Sequence, residues 1–226
     1  MKTLTPIFHD PEYERPHPGC EIQARWPDLV ATARSSSLTS EIPVFYEFAS
    51  LPGGFFLSGV GYRKARPEIQ PDHSLREAIL GRMIAGYGLS ESIRGSIEEC
   101  GCDSGDASIR YAVVDPSTAR VELCGYGVHT SALHIANGIT RPLGLPWKSG
   151  QAIPRHVTMY PGDALLLAAH PGTWNKFALC TVDQALDADG ERLSEHEALH
   201  LCVRAQEATV GDSASVVLYR SGTDCP

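Results

Sequence analysis

No stretch of this chain is long and apolar enough to cross a bilayer. The longest uninterrupted apolar run is Ala164–Ala169, whereas a spanning helix needs roughly 20 such residues. Met1–Asp10 carries no signal-peptide pattern. Basic residues are also scarce: 19 Lys and Arg face 27 Asp and Glu, for a formal net charge of −8. A nucleic-acid surface needs clustered cations to displace counterions from phosphates, so this balance argues against one. Paired cysteines are missing too. The seven cysteines, at 20, 100, 102, 124, 180, 202 and 225, are odd in number, scattered and without a CxxC, unlike the even set of a disulfide framework. Cys100-Gly101-Cys102 is the one close pair, and its spacing suits neither a zinc knuckle nor a thioredoxin-type motif. The cysteines therefore read as reduced, mostly buried small apolar groups. These absences predict a soluble, cytoplasmic protein that meets no membrane and no nucleic acid, with proteins or small molecules as partners.

What is present is a succession of turns and short strands. The 226 residues suffice for a sizeable core, and the expectation is one domain over residues 19–226 behind an irregular arm at 1–18. Glu21 to Trp26 alternates as a half-buried strand, and RSSSLTSE at 34–41 reads as a loop. Val44–Phe48 and Phe55–Val60 flank Leu51-Pro-Gly-Gly54, a β-hairpin signal. Ser74-Leu-Arg-Glu77 has the form of a capping box and predicts a helix to about Ala85, with Leu75, Ile79 and Met83 on its apolar side. A second helix from about Ser90 to Cys100 buries Ile93 and Ile97. Strands are predicted at 108–115, 120–125, 132–135, 156–159, 164–169 and 214–219, with a helix at about 193–208. Strands, two helices, strands, a helix and a last strand imply antiparallel sheets with helices packed outside, an α+β arrangement.

The most organised stretch is YPGDALLLAAHPG, Tyr160–Gly172. A Pro-Gly-Asp turn feeds a buried apolar strand that stops at His170-Pro171. This stretch resembles the "L-PGD-LLLYTDG" segment of the metal-dependent protein phosphatases, the PPM or protein phosphatase 2C family, in the bacterial branch typified by the stage II sporulation phosphatase. Four further segments are similar in the same order: PGCEIQARWP at 18–27, VFYEFASLPGG at 44–54, YAVVDPSTARVELCGYG at 111–127 and DSASVVLYR at 212–220. The resemblance implies a four-layer αββα sandwich of two antiparallel sheets. In an intact member it also implies a site at one end where aspartates hold two Mg or Mn ions, whose bound water attacks phosphorus.

Carried over position by position, the family's aspartates fall on Val44, Tyr62, His170 and Ser213, and one is retained as Asp212. Hard divalent ions need oxygen ligands, and one carboxylate with a His and a Tyr provides too few. The resemblance then implies a degenerate member, a pseudophosphatase needing no cofactor that works as a regulatory protein-binding module. Its partner would be a protein, for instance a phosphorylation-dependent signalling component. An active metal-dependent Ser/Thr phosphatase with a rearranged Mn or Mg site is the alternative. His170 with Asp212 would suit a softer ion such as Zn, or His170 is simply a polar residue at a strand end. Arg63, Lys64 and Arg66 form either a basic rim for an acidic partner or a solvated loop.

His196-Glu-Ala-Leu-His200 is a literal HExxH, in which two histidines one turn apart bind zinc and Glu197 activates water. On a helical wheel His196, Glu197, His200, Arg204 and Glu207 fall on one side, as on an outer helix with a wet face. A third zinc ligand at a familiar spacing is missing. The zinc-hydrolase reading therefore ranks behind the two phosphatase readings, and no catalytic residue is assigned.

Overall fold

The first hairpin shows how local chemistry sets the architecture. The computed structural model describes residues 21–26, 28–36, 44–63, 73–102, 107–127, 129–137, 139–143, 154–169, 201 and 213–221. Strand β3 (Val44–Ser50) turns through a short 3₁₀ segment into β4 (Phe56–Arg63). Gly53 and Gly54 occupy the bend at φ of 81° and 82°, where a side chain would be strained. The register runs from Ser50↔Phe56 back to Val44↔Tyr62. Two helices follow, α1 (His73–Ile84) and α2 (Leu89–Glu99). Next come β5 (Ala107–Asp115) and β6 (Arg120–Tyr126), and with β9 (Arg155–Thr158) they complete a five-stranded sheet of order β3-β4-β5-β6-β9.

The second sheet collects strands from both ends of the chain. Strands β1 (Glu21–Arg25) and β2 (Leu29–Ser36) join β7 (Thr130–Ala136), β8 (Ile139–Pro142), β10 (Ala164–Ala169) and β11 (Ser213–Arg220). Their order is β1-β2-β11-β10-β7-β8, and every pairing in both sheets is antiparallel.

Side chains alternate across a strand, so each sheet has an inner and an outer face. Leu29, Val60, Val114, Leu123, Leu165 and Val216 meet between the sheets in one buried core. On the outer face of the five-stranded sheet, Leu57, Ile109, Tyr111 and Cys124 pack under Leu75 and Ile79 of α1 and Ile93 and Ile97 of α2. Each such Leu or Ile contributes about 1.5–3 kcal/mol by leaving water. Gly59 makes room for this layer: a Cβ there would stand 2.4 Å from the Tyr111 ring. The Tyr111 hydroxyl donates to Glu47 Oε2 at 2.7 Å, and Arg76 Nε lies 3.9 Å from the same oxygen. Burial first, then the Glu47 charge, pushes the Tyr111 hydroxyl well above its ordinary range.

The expected sandwich of two antiparallel sheets is present, with the helix pair outside the five-stranded one. Three local readings change. The loop expected at 34–41 begins inside β2, which continues through Ser36 because it pairs with both β1 and β11. Strand β8, not anticipated, pairs with β7 after the Asn137 turn, where φ is 51°. Helix α1 starts at His73, so Ser74 lies inside the first turn. The helix expected at 193–208 lies outside the described residues except for Leu201, which is helical and buried. The arm at 1–18 lies outside them altogether.

Candidate functional site

Two rows of residues face each other across one end of the sandwich. In the five-stranded sheet the row is Val44, Tyr62 and Ser108, set by the β3–β4 and β4–β5 registers. In the six-stranded sheet it is Ser35, Ala214, Ala169 and Thr130. Val44, Tyr62 and Ala214 meet in a buried contact, at 5%, 4% and 0% exposure. The β3–β4 hairpin and the distant strand β11 thus converge, and the hairpin carries two of the positions at which the resemblance placed metal-binding aspartates. Ser213 is next to Ala214 and buried. His170 and Asp212, which flank Ala169 and Ser213 in sequence, lie outside the described residues, as do Lys64, Arg66, His196, Glu197 and His200.

The polar residues at this end tie the two sheets together. The chain leaves β6 in one sheet and enters β7 in the other across Gly127–His129, and Ser108 fixes that crossing. Its Oγ accepts from the His129 backbone N–H at 2.9 Å and lies 3.4 Å from Thr130 Oγ1. One inner position deeper on β5 is Arg110, 1% exposed, whose Nη2 donates to the Thr130 carbonyl at 3.0 Å. Burial lowers Arg110 to about 10, an effect the nearby Cys124 partly offsets, so the guanidinium stays charged at neutral pH. The His129 ring stands edge-on to Tyr62, with centroids 5.3 Å apart. Burial raises the Tyr62 hydroxyl above its ordinary 10.0, keeping it neutral. Arg63, expected on an exposed basic rim, is instead buried, and its Nη2 donates to the Cys100 carbonyl at 3.5 Å. It follows Tyr62 in a strand that packs on both faces, so solvent does not reach it.

Mg and Mn ions need several oxygen donors, carboxylates above all. Val44 and Ala214 offer none, and Tyr62 offers a neutral phenol. Among the described residues no three His, Cys, Asp or Glu side chains come together in a metal-binding group. The buried Arg110 cation adds a charge of the wrong sign. The described residues at this end therefore do not fit a two-metal centre. Sequence reasoning had not singled out Arg110, Ser108 or Thr130, although SIRYAVVD alternates and places Arg110 on the same face as Ala112 and Val114.

An open groove of about 420 Å³ lies elsewhere, lined by Phe55, Val113, Asp115, Arg120, Glu122 and His156 among others. Across the strands Asp115 stands opposite Arg120 and Glu122 opposite His156. Both Asp115 oxygens are held by the Ser117 and Thr118 hydroxyls, which lower its pKa. No unmatched group converges there.

No protein-family model matches the chain, and no curated protein matches it in sequence. Solved structures do. The PP2C phosphatase domain of SpoIIE from Bacillus subtilis, with a fragment of its regulatory domain, superposes with a TM-score of 0.63 at 10% identity over 85% of this chain. This is the fold of the PP2C protein phosphatases. The RsbU and RsbW domains of a Mycobacterium tuberculosis protein give a TM-score of 0.62 at 18% identity over 87% of this chain. In each case the match spans 62% of the other chain. The catalytic domain of the serine/threonine phosphatase PstP, solved with two manganese ions, is similar over 86% of this chain and 99% of its own, with a TM-score of 0.51 at 13% identity. The PP2C fold suggested by five short motifs is thus the fold observed.

Proposed function

We propose that this protein is a PP2C-fold module that has exchanged the two-metal centre for a closed apolar contact and acts by binding a protein partner. The observation that carries this reading is the buried contact of Val44, Tyr62 and Ala214. Metal ligands need carboxylate oxygens there, and a packed valine and alanine cannot be converted into ligands by a change of rotamer. The retained sandwich, with its buried core between the sheets, supports a scaffold whose surface still matters. A fold does not determine a function, so the partner class rests on the similar structures: a protein component of phosphorylation-dependent signalling, met in the cytoplasm.

The test is metal content measured together with turnover. The purified full chain is dialysed against MnCl₂ or MgCl₂, its bound metal is quantified, and hydrolysis of a small aryl phosphate and of a phosphoprotein is followed. The expected result is less than stoichiometric Mn or Mg and no metal-dependent hydrolysis. Manganese-dependent turnover would overturn this reading in favour of an active phosphatase with a rearranged site. Stoichiometric zinc, lost in a His200→Ala variant, would overturn it in favour of the HExxH reading.

A further inference from the structure

Two thiols stand close together where α2 ends. Cys100 caps the helix, Gly101 follows at φ of 59°, and Cys102 comes next. The amide of Gly101 donates to the Glu98 carbonyl and that of Cys102 to the Ile97 carbonyl, at 3.2 and 3.0 Å. This is the paired hydrogen-bond pattern of a helix stop closed by a left-handed residue. A residue in a helical conformation of either hand sets its two neighbours' Cα atoms ~5.4 Å apart, from the helix radius and rise. Disulfides span Cα separations of about 4.4–6.8 Å. Cys102 Sγ lies 3.8 Å from the Cys100 carbonyl oxygen, so its side chain folds back against the backbone of residue 100. Both cysteines are half-buried, whereas Cys124 is buried. Arg63 donates to the same Cys100 carbonyl, so the pair sits against the end of β4 that carries Tyr62.

We infer that Cys100 and Cys102 form an oxidation site, a dithiol that hydroperoxide-class oxidants convert to a disulfide across Gly101. One thiol attacks a peroxide oxygen, the O–O bond breaks, and a sulfenic acid and one water form. The second thiol then attacks the sulfenic sulfur, the S–O bond breaks, and a second water leaves as the S–S bond closes. Two thiols and one hydrogen peroxide give one disulfide and two waters. The two sulfurs together lose two electrons, and the peroxide oxygens take them up. The fold selects this pair because both thiols are partly accessible and the helix stop holds their backbones within disulfide span. Cys124, the buried comparison, has its thiol raised to about 11, chiefly by burial, and so supplies little of the reactive thiolate.

The test uses the native full chain. Tryptic cleavage yields residues 95–110, a peptide that contains Cys100, Cys102 and no other cysteine. Reduced protein is treated with hydrogen peroxide, alkylated, digested and followed by mass spectrometry. The expected result is a peptide two hydrogens lighter and closed to alkylation, formed about tenfold or more faster than Cys124 loses its reactivity. In Cys102→Ser the same treatment should leave a sulfenic acid on Cys100 that dimedone traps. Gly101→Val, whose β-branched side chain opposes the left-handed conformation, should slow closure about tenfold or more. A 95–110 peptide that stays doubly alkylated while Cys124 reacts would overturn the inference, as would preferential crosslinking of Cys100 to any other cysteine.

Discussion

The two tips of strand β10 lie at opposite ends of the sandwich and meet opposite surroundings. At its start, the Pro-Gly-Asp turn is saturated with hydrogen bonds. Asp163 Oδ2 accepts from the Tyr160 amide at 2.9 Å and meets His134 Nε2 at 3.0 Å. Arg220 Nη1 donates to the Met159 carbonyl at 2.6 Å, and its Nη2 lies 3.3 Å from Asp28. At its far end, β10 reaches Ala169 beside the apolar contact of Val44, Tyr62 and Ala214. The polar end stabilises a turn that its own short sequence specifies. The apolar end depends on segments scattered over the whole chain and is where a member with intact chemistry would concentrate charge. Tolerance of a new carboxylate is therefore the property in which the two ends should differ most.

The largest expected effect comes from forcing that charge in. Val44→Asp buries a carboxylate between Tyr62 and Ala214, and it should destabilise the protein by more than about 3 kcal/mol in urea unfolding. Adding MnCl₂ should not restore the loss. Recovery with manganese would show that the apolar end still assembles a metal site. Next in size is the polar end, where Asp163→Ala removes the acceptor of the Tyr160 amide and the partner of His134 and should cost about 1–3 kcal/mol. A double-mutant cycle with His134→Ala should return a coupling energy of about 0.5 kcal/mol or more; strict additivity would mean that the contact carries no energetic weight.

The smallest effect should come from Tyr62. Among the described residues its hydroxyl has no hydrogen-bond partner, so Tyr62→Phe should lie within about 0.5 kcal/mol of the parent near neutral pH. The alkaline limb sharpens the comparison. The folded-state hydroxyl titrates above 10.0, so between its unfolded and folded values the native state holds a proton that the unfolded state has released. That contribution to stability is complete below about pH 10 and falls away as pH rises through the folded value. Buried Tyr111 adds to the same trend. Tyr62→Phe should therefore flatten the alkaline loss of stability without removing it, and an unchanged slope in denaturation followed from pH 9 to 11.5 would refute Tyr62's share.

Elements bounded by strong local punctuation were legible in the sequence. Strand β10 occupies Ala164–Ala169 as expected because a Gly-containing turn precedes it and its apolar run is unbroken. The β3–β4 hairpin and both helices follow the same logic, from the glycine turn and from apolar residues at helical spacing. Strand β2 was missed because LVATARSS ends in residues typical of loops, and its far half is held between β1, just before it in sequence, and β11, near the other end of the chain. Strand β8 is four residues long and leaves too little pattern to read. The candidate site was legible only through the family resemblance, which picked out Val44 and Tyr62 as equivalent positions. Arg110 was passed over because an arginine in a strand normally faces water. Only the meeting of two sheets turns that position inward, and its charge is accommodated by the crossing chain at Thr130.

The contact between Gly59 and Tyr111 means that two positions share a single volume. A side chain at 59 can exist only if the ring at 111 shrinks, and a smaller residue there gives up the hydroxyl that reaches Glu47. Glu47 would then be left buried with Arg76 alone, and its replacement by an apolar residue would become the favoured change. Three positions on three neighbouring strands are therefore coupled, and a change at any one of them alters what the other two can hold.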